Sequence, residues 1–326
     1  MNTTLFKRNI WKHKITNLLH SFALLAGMGS LLGLLGWFFA GPAGISWAII
    51  LTVASLMISA RWSPRIILRW YAATALSPRT APALYSTVGQ LAKQAGLPKM
   101  PTLYYVPTRV PNAFTTGSRS NAVIAVTEGL LKSLNHRELT GVIAHEIGHL
   151  KNNDLWLMNL SDTISRVTAL LALIGQCLLF LSLPLLLASG LHVSWAVLLL
   201  LMLAPAAASL LQLALSRSRE FDADLAAAAL TGDPAGLAAA LSKMERLRQG
   251  WLKRLFLPGR RASQPSVLRS HPETRERVER LLALAAEPHF QQPAPSLATR
   301  TMDASAPPVH LRRRHPRWHF GGIGTG

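Results

Sequence analysis

The sequence predicts an α-helical membrane protein with two transmembrane helical hairpins and a cytosolic α+β domain built around a metal-binding helix. Three observations predict it. No Lys, Arg, Asp or Glu occurs from Ile15 to Ala60 or from Val167 to Ser216. Short β-like runs lie between these two stretches. The segment Val142-Ile143-Ala144-His145-Glu146-Ile147-Gly148-His149-Leu150 sets two imidazoles four residues apart, with a carboxylate directly after the first.

Composition agrees. Half of the 326 residues are apolar and only 15% are charged, against about 25% charged in a soluble domain. The net charge of +19 would suit a nucleic-acid binder, but the basic residues flank apolar runs and no recognition motif accompanies them. The positive-inside effect is the simpler cause. Cys177 is the sole cysteine, which leaves neither a disulfide framework nor a cysteine metal site.

A short basic N-terminus (Lys7, Arg8, Lys12, Lys14) precedes the first charge-free stretch. That stretch is long enough for two spans of about 20 residues, turning at Gly41-Pro42-Ala43-Gly44. A secretory signal has an apolar core of only about 7–15 residues, far shorter than this one. Arg61, Arg65 and Arg69 follow, so the N-terminus and the segment after Ala60 face the cytoplasm. Leu84, Val88, Leu91 and Ala92 recur at helical spacing until Gly96-Leu97-Pro98. Thr102–Val106, Asn112–Thr116 and Ala122–Val126 read as strands, with Pro111 marking the second as an edge strand and Gly117 to Asn121 as the turn after it. Asn135 with Glu138 forms a capping box for the metal helix, and Asn152-Asn153-Asp154 ends it. The second charge-free stretch divides into two spans at Gly190 to Ser194. An Ala-rich helix, a basic loop around Lys253 to Arg261 and a charged helix from about Pro272 to Ala285 follow. The chain after Glu287 lacks periodicity and reads as a disordered, basic, Pro-rich tail. The expected divisions are thus residues 1–60, 61–166, 167–216, 217–285 and 286–326.

Positions i and i+4 share a helix face, so His145 and His149 can bind one metal ion together. Glu146 then stands beside them, where it can take a proton from a water that the metal activates. The five-residue pattern arises by chance in about one chain per hundred of this length, and a helix with two exposed histidines would also fit it. An open zinc site needs a third protein ligand. Glu220, immediately beyond the fourth span, is the candidate. Asp224 lies on the same face at i+4, placed to accept an N–H from a ligating histidine and fix its tautomer.

These segments, with His271-Pro272 and Arg277 downstream, resemble the HtpX-type membrane zinc metalloproteases, relatives of the CAAX prenyl proteases. Asn112-Ala113-Phe114 and Thr127-Glu128-Gly129-Leu130-Leu131 fit the same pattern, and the resemblance runs from about Ser63 to Ala285. It implies a gluzincin-like (zincin) catalytic domain holding one Zn2+ per chain through His145, His149 and Glu220, with Glu146 as general base. It also implies that His271 steadies the oxyanion, that Arg277 holds that region, and that Asn112, Ala113 and Phe114 belong to a strand that pairs with extended substrate. Read from the residues alone, a His-Pro pair before a charged helix is more often a helix entry than a catalytic element. The tail after Glu287 departs from the family, and nothing carries over to it.

The expected activity is therefore a zinc metalloendopeptidase of the cell (inner) membrane, cutting unfolded membrane-protein segments at the cytosolic face. No other cofactor and no nucleic-acid partner is expected. A prenyl-peptide processor or a non-proteolytic zinc scaffold are the competing readings. Glu146 argues against the scaffold, which needs no base, and prenyl-processing relatives usually have more spans.

Overall fold

The computed structural model describes residues 2–61, 68–189, 194–255, 274–287 and 290. Helix α1 (Asn2–Arg61) is two helical arms joined where Ala40 and Gly41 leave helical geometry, Gly41 at a φ of +56°. That left-handed backbone favours glycine. Pro42 opens the second arm, where its missing N–H breaks no helical bond. The arms fold back so closely that a Cβ on Gly36 or Gly44 would run into the backbone of the other. Met28 and Leu32 of one arm and Ala48 of the other share a buried cluster with Ile164 and Val167.

Those last two residues belong to helix α5 (Asp154–Ser189), which precedes α6 (Trp195–Thr231). Among the described residues, three helices are long and apolar enough to cross a membrane, with segments Thr16–Ser59, Asp154–Leu185 and Trp195–Thr231, and the first is folded at Gly41. Their outward faces carry Phe22, Phe180 and Trp195, each more than 70% exposed, as a lipid-facing surface requires. Pro205 cannot donate to the carbonyl of Leu201 four residues back. Gln176 of α5 donates Nε2–H to that oxygen at 2.8 Å, which ties the second hairpin together.

The α+β part begins with β1 (Thr74–Ala75), α2 (Pro82–Gln94), β2 (Thr102–Val106), β3 (Ala113–Ser118) and β4 (Asn121–Thr127). The sheet order is β1-β2-β4-β3; β2 and β4 are parallel and the outer pairs antiparallel. β3 is therefore an edge, as Pro111 led us to expect. β1 has only two residues and no periodicity, so the sequence did not announce it. The β3–β4 turn is tighter than expected: Ser118 pairs with Asn121, and Gly117 lies within the strand at a φ of +98°.

Helices α3 (Glu128–Ser133) and α4 (His136–Asn152) follow. The Asn135–Glu138 capping box is formed at the start of α4, and Asn153 closes it at a φ of +61°. Alternation along the strands sends Ala113, Ile124 and Val126 into one core with Val142, Ile143 and Ile147 of α4. Phe114, Val123 and Ala125 face the opposite way, onto Leu68 and Tyr71. Helices α7 (Pro234–Leu255) and α8 (Thr274–Ala285) complete the described chain.

The changes of charge at residues 166 and 216 fall inside helices: α5 runs without interruption through residue 166, and α6 is one helix of 37 residues across residue 216. No Gly or Pro stands at either place, so charge changes there while the backbone continues. The fourth span and the Ala-rich helix are therefore one rod of ~55 Å. Lys253 to Leu255 belong to α7, so the basic loop starts later than expected. His271 and Pro272, Gly190 to Val193, Arg65, and the tail beyond Phe290 lie outside the described residues.

Candidate metal centre

His145 and His149 stand one turn apart on α4, with their Nε2 atoms 3.2 Å from each other. Gly148, between them, lets α4 settle on α6: a Cβ there would lie 3.0 Å from the Ala223 carbonyl oxygen. Close packing brings Glu220 to the pair. Its Oε2 is 3.4 Å from Nε2 of His145 and its Oε1 is 3.7 Å from Nε2 of His149. All three residues are at most 5% exposed.

The donor set tests well against zinc. Ligands at 2.0–2.1 Å in tetrahedral array stand ~3.3 Å apart, close to the separations of 3.2, 3.4 and 3.7 Å found. The ring orientations agree too. Nδ1 of His145 lies 2.9 Å from Asp224 Oδ1, and Nδ1 of His149 lies 3.0 Å from Asp154 Oδ2. Carboxylates on the Nδ1 side hold the proton there, which would leave the Nε2 lone pairs open to a metal ion bound between them.

Arg277, 2% exposed, spans Glu220 and Asp224. Its Nη1 is 2.8 Å from Glu220 Oε2, and its Nε and Nη2 grip both oxygens of Asp224 at 2.8 and 2.7 Å. Burial would lower the guanidinium pKa, but the Asp224, Glu220 and Glu146 carboxylates outweigh it and hold the group above its ordinary value. For His145, burial and the Arg277 charge pull the imidazole down; hydrogen bonds to Asp224 and Glu220 prevail and push it up to about 9.

Glu146 is buried on the same turn and accepts a hydrogen bond from Thr115 Oγ1 of β3 at 2.6 Å. Asn112 is held to Thr127 through its backbone: its N–H donates to the Thr127 side-chain Oγ1 at 2.9 Å and its carbonyl accepts from the Thr127 N–H at 3.0 Å. Ala113 and Phe114 are buried in the two opposite cores, and the Phe114 ring packs 5.7 Å from that of Tyr71. These three side chains point into the protein, and Asn112, just before β3, has both its N–H and its carbonyl bonded to Thr127.

The described residues thus bring His145, Glu146, His149, Glu220, Asp224 and Arg277 into one buried cluster with β3 alongside. Three participants were not read from the sequence. Asp154 looked like a helix stop, and its place five residues after His149, just past a left-handed Asn153, was the available signal. Thr115 gave none, because only the fold sets it over Glu146. Arg219 bonds Asp222 at 2.8 Å and the Asn17 carbonyl at 3.0 Å, and stands 3.7 Å from Asp154.

The profile of Peptidase family M48 matches residues 78–285, more than half of the chain. The chain belongs to peptidase family M48. This M48 chain is 41% identical over 282 residues to a Protease HtpX homolog of Pyrococcus abyssi, covering 81% of this chain and 92% of that one. It is 34% identical over 287 residues to a Protease HtpX homolog of Ralstonia nicotianae, covering 82% and 97%. The HtpX-type resemblance carried by the motifs is therefore borne out. The crystal structure of S. mikatae Ste24p is similar at a TM-score of 0.46 and 20% identity, over 83% of this chain and 66% of that one.

Proposed function

We propose that this M48 chain is a zinc-dependent endopeptidase of the cell (inner) membrane that cuts extended or misfolded membrane-protein segments at the cytosolic face. The observation that carries the reading is the convergence of His145, His149 and Glu220 nitrogen and oxygen donors within 4.8 Å of one another, with the Glu146 carboxylate on the same helical turn. When bound there, zinc would supply a Lewis acid that polarises a peptide carbonyl and acidifies a water.

The chain's own groups do the rest. Asp224 and Asp154 keep the two imidazoles turned inward, and Arg277 balances the charge of Glu220 and Asp224. Glu146 takes the proton of the attacking water as its oxygen bonds to the carbonyl carbon. The same carboxylic acid then delivers that proton to the amide nitrogen, and the C–N bond breaks. His271 shares the negative charge that develops on the carbonyl oxygen, the role the family resemblance assigns it. The outer edge of β3, from Ala113 onward, takes the substrate as an added strand, and Asn112 anchors the start of that strand to Thr127.

The cytosolic placement follows from Lys and Arg flanking both charge-free stretches. Glu220 lies three residues beyond Arg217, less than one turn of α6 past the uncharged segment. A site at that depth suits segments emerging from the bilayer. Detergent-solubilised protein loaded with zinc should degrade unfolded casein, and the Glu146→Gln form should not. Equal degradation by both would end the proposal.

A further inference from the structure

We propose that Thr115 is a positioning residue for the general base, and that it locks the base to the strand on which the substrate lies. The inference rests on the protease reading of Glu146. Its observation is separate: the Thr115 hydroxyl on β3 donates to Oε2 of Glu146 on α4 at 2.6 Å, a contact across 31 positions that no sequence pattern requires.

A buried carboxylate attached through two methylenes has several rotamers open to it, and a base must hold one of them to meet its water. The Thr115 bond selects one. It takes up Oε2 and fixes the plane of the carboxylate, so that Oε1 is offered in a single orientation. β-branching limits Thr115 in turn, because its χ1 has few wells and its Cα is pinned by the sheet. Thr115 pairs with Ile124 of β4, and strand alternation puts it on the same face as Ala113, which packs in one core with Ile143 and Ile147. The hydroxyl is thus aimed at α4 by the sheet itself.

The consequence concerns register. An extended peptide on the outer edge of β3 is placed by the backbone of the same strand that holds the base by its side chain. Scissile bond and base are then located from one rigid element instead of from two elements that move separately. Misplacement of a reacting group by about 1 Å costs up to a hundredfold in rate, so losing this link should appear in turnover and not in binding.

The test uses full-length, detergent-solubilised, zinc-loaded protein with a fluorogenic unfolded casein. Thr115→Val keeps the shape and removes the hydroxyl; Thr115→Ser keeps the hydroxyl. The valine form should lose between about tenfold and a hundredfold in kcat, with KM within twofold, zinc per chain unchanged and melting temperature near that of wild type. The serine form should regain most of the loss. In a Glu146→Gln background the valine change should have no further effect. Wild-type kcat in Thr115→Val, beside an inactive Glu146→Gln, would overturn the positioning role and leave the protease reading intact. So would a loss confined to KM, or one explained by zinc released from the protein. A Glu146→Gln form as active as wild type would remove the base itself, and this proposal with it.

Discussion

The carboxylate of Asp154 stands 3.0 Å from Nδ1 of His149, reaching back across the helix break at Asn153. Asp154 is 1% exposed and begins α5, the helix that becomes the third apolar span. One residue therefore follows the end of α4, starts an apolar helix and bonds the imidazole of a proposed metal ligand. Carboxylates behind ligating histidines typically contribute ten- to a hundredfold in metal affinity. Asp154→Ala should weaken zinc binding by about that factor in a chelator competition. Activity at saturating zinc should recover more than activity at limiting zinc. Undiminished affinity would mean that the hydrogen bond does not orient the ring.

Arg277 supplies the cation between Glu220 and Asp224. Removing one partner of a buried charge group leaves the others uncompensated, at a cost of about 3–5 kcal/mol. Arg277→Met should therefore lower the melting temperature of zinc-free protein by on the order of 10 °C. Zinc should restore much of the loss, because the ion supplies positive charge at Glu220. A melting temperature that did not respond to Arg277→Met would show that the two carboxylates share protons instead of relying on the guanidinium.

What the sequence revealed and what it hid divide along a physical line. The metal helix was legible because its ligands repeat at the helical period and its cap residues sit at fixed offsets. The edge strand was legible because Pro111 cannot donate to a neighbouring strand. Glu220 and Asp224 were legible because an open ligand position asked for them. Thr115, Asp154 and Gly148 carry no such period. A hydroxyl on a strand, an aspartate after an asparagine and a glycine in a helix are common everywhere. They gain meaning only when β3, α5 and α6 arrive against α4. Charge and backbone carry different information: the apolar stretches end at residues 166 and 216, while the helices run on through both.

The capping box of α4 offers a test that leaves the centre untouched. The Asn135 side chain accepts from the Glu138 N–H, and Glu138 accepts from the Asn135 N–H, both at 2.9 Å. Asn135→Ala should cost about 1 kcal/mol, read as a fall of a few degrees in melting temperature. Specific activity of the folded fraction should stay at the wild-type level, since His145 and His149 lie more than two turns further along the helix. A large loss of zinc in this variant would show that the start of α4 is coupled to the site.

The bond from Gln176 to the Leu201 carbonyl makes a prediction about the membrane part that sign alone can decide. Gln176 sits on the exposed face of α5, and the oxygen it serves is open because Pro205 carries no N–H. Gln176→Leu gains apolar surface and loses the hydrogen bond, so its net effect on stability is a difference of opposing terms. Pro205→Ala restores a backbone donor to Leu201. In that background the glutamine is redundant and its replacement keeps only the apolar gain. Gln176→Leu should therefore be less favourable in the wild-type background than in the Pro205→Ala background, by roughly 0.6–1 kcal/mol. A double-mutant cycle on detergent unfolding midpoints measures it, because the apolar gain cancels between the two arms. Strict additivity would mean that the carbonyl needs no donor from Gln176, and that packing alone holds the hairpin formed by α5 and α6.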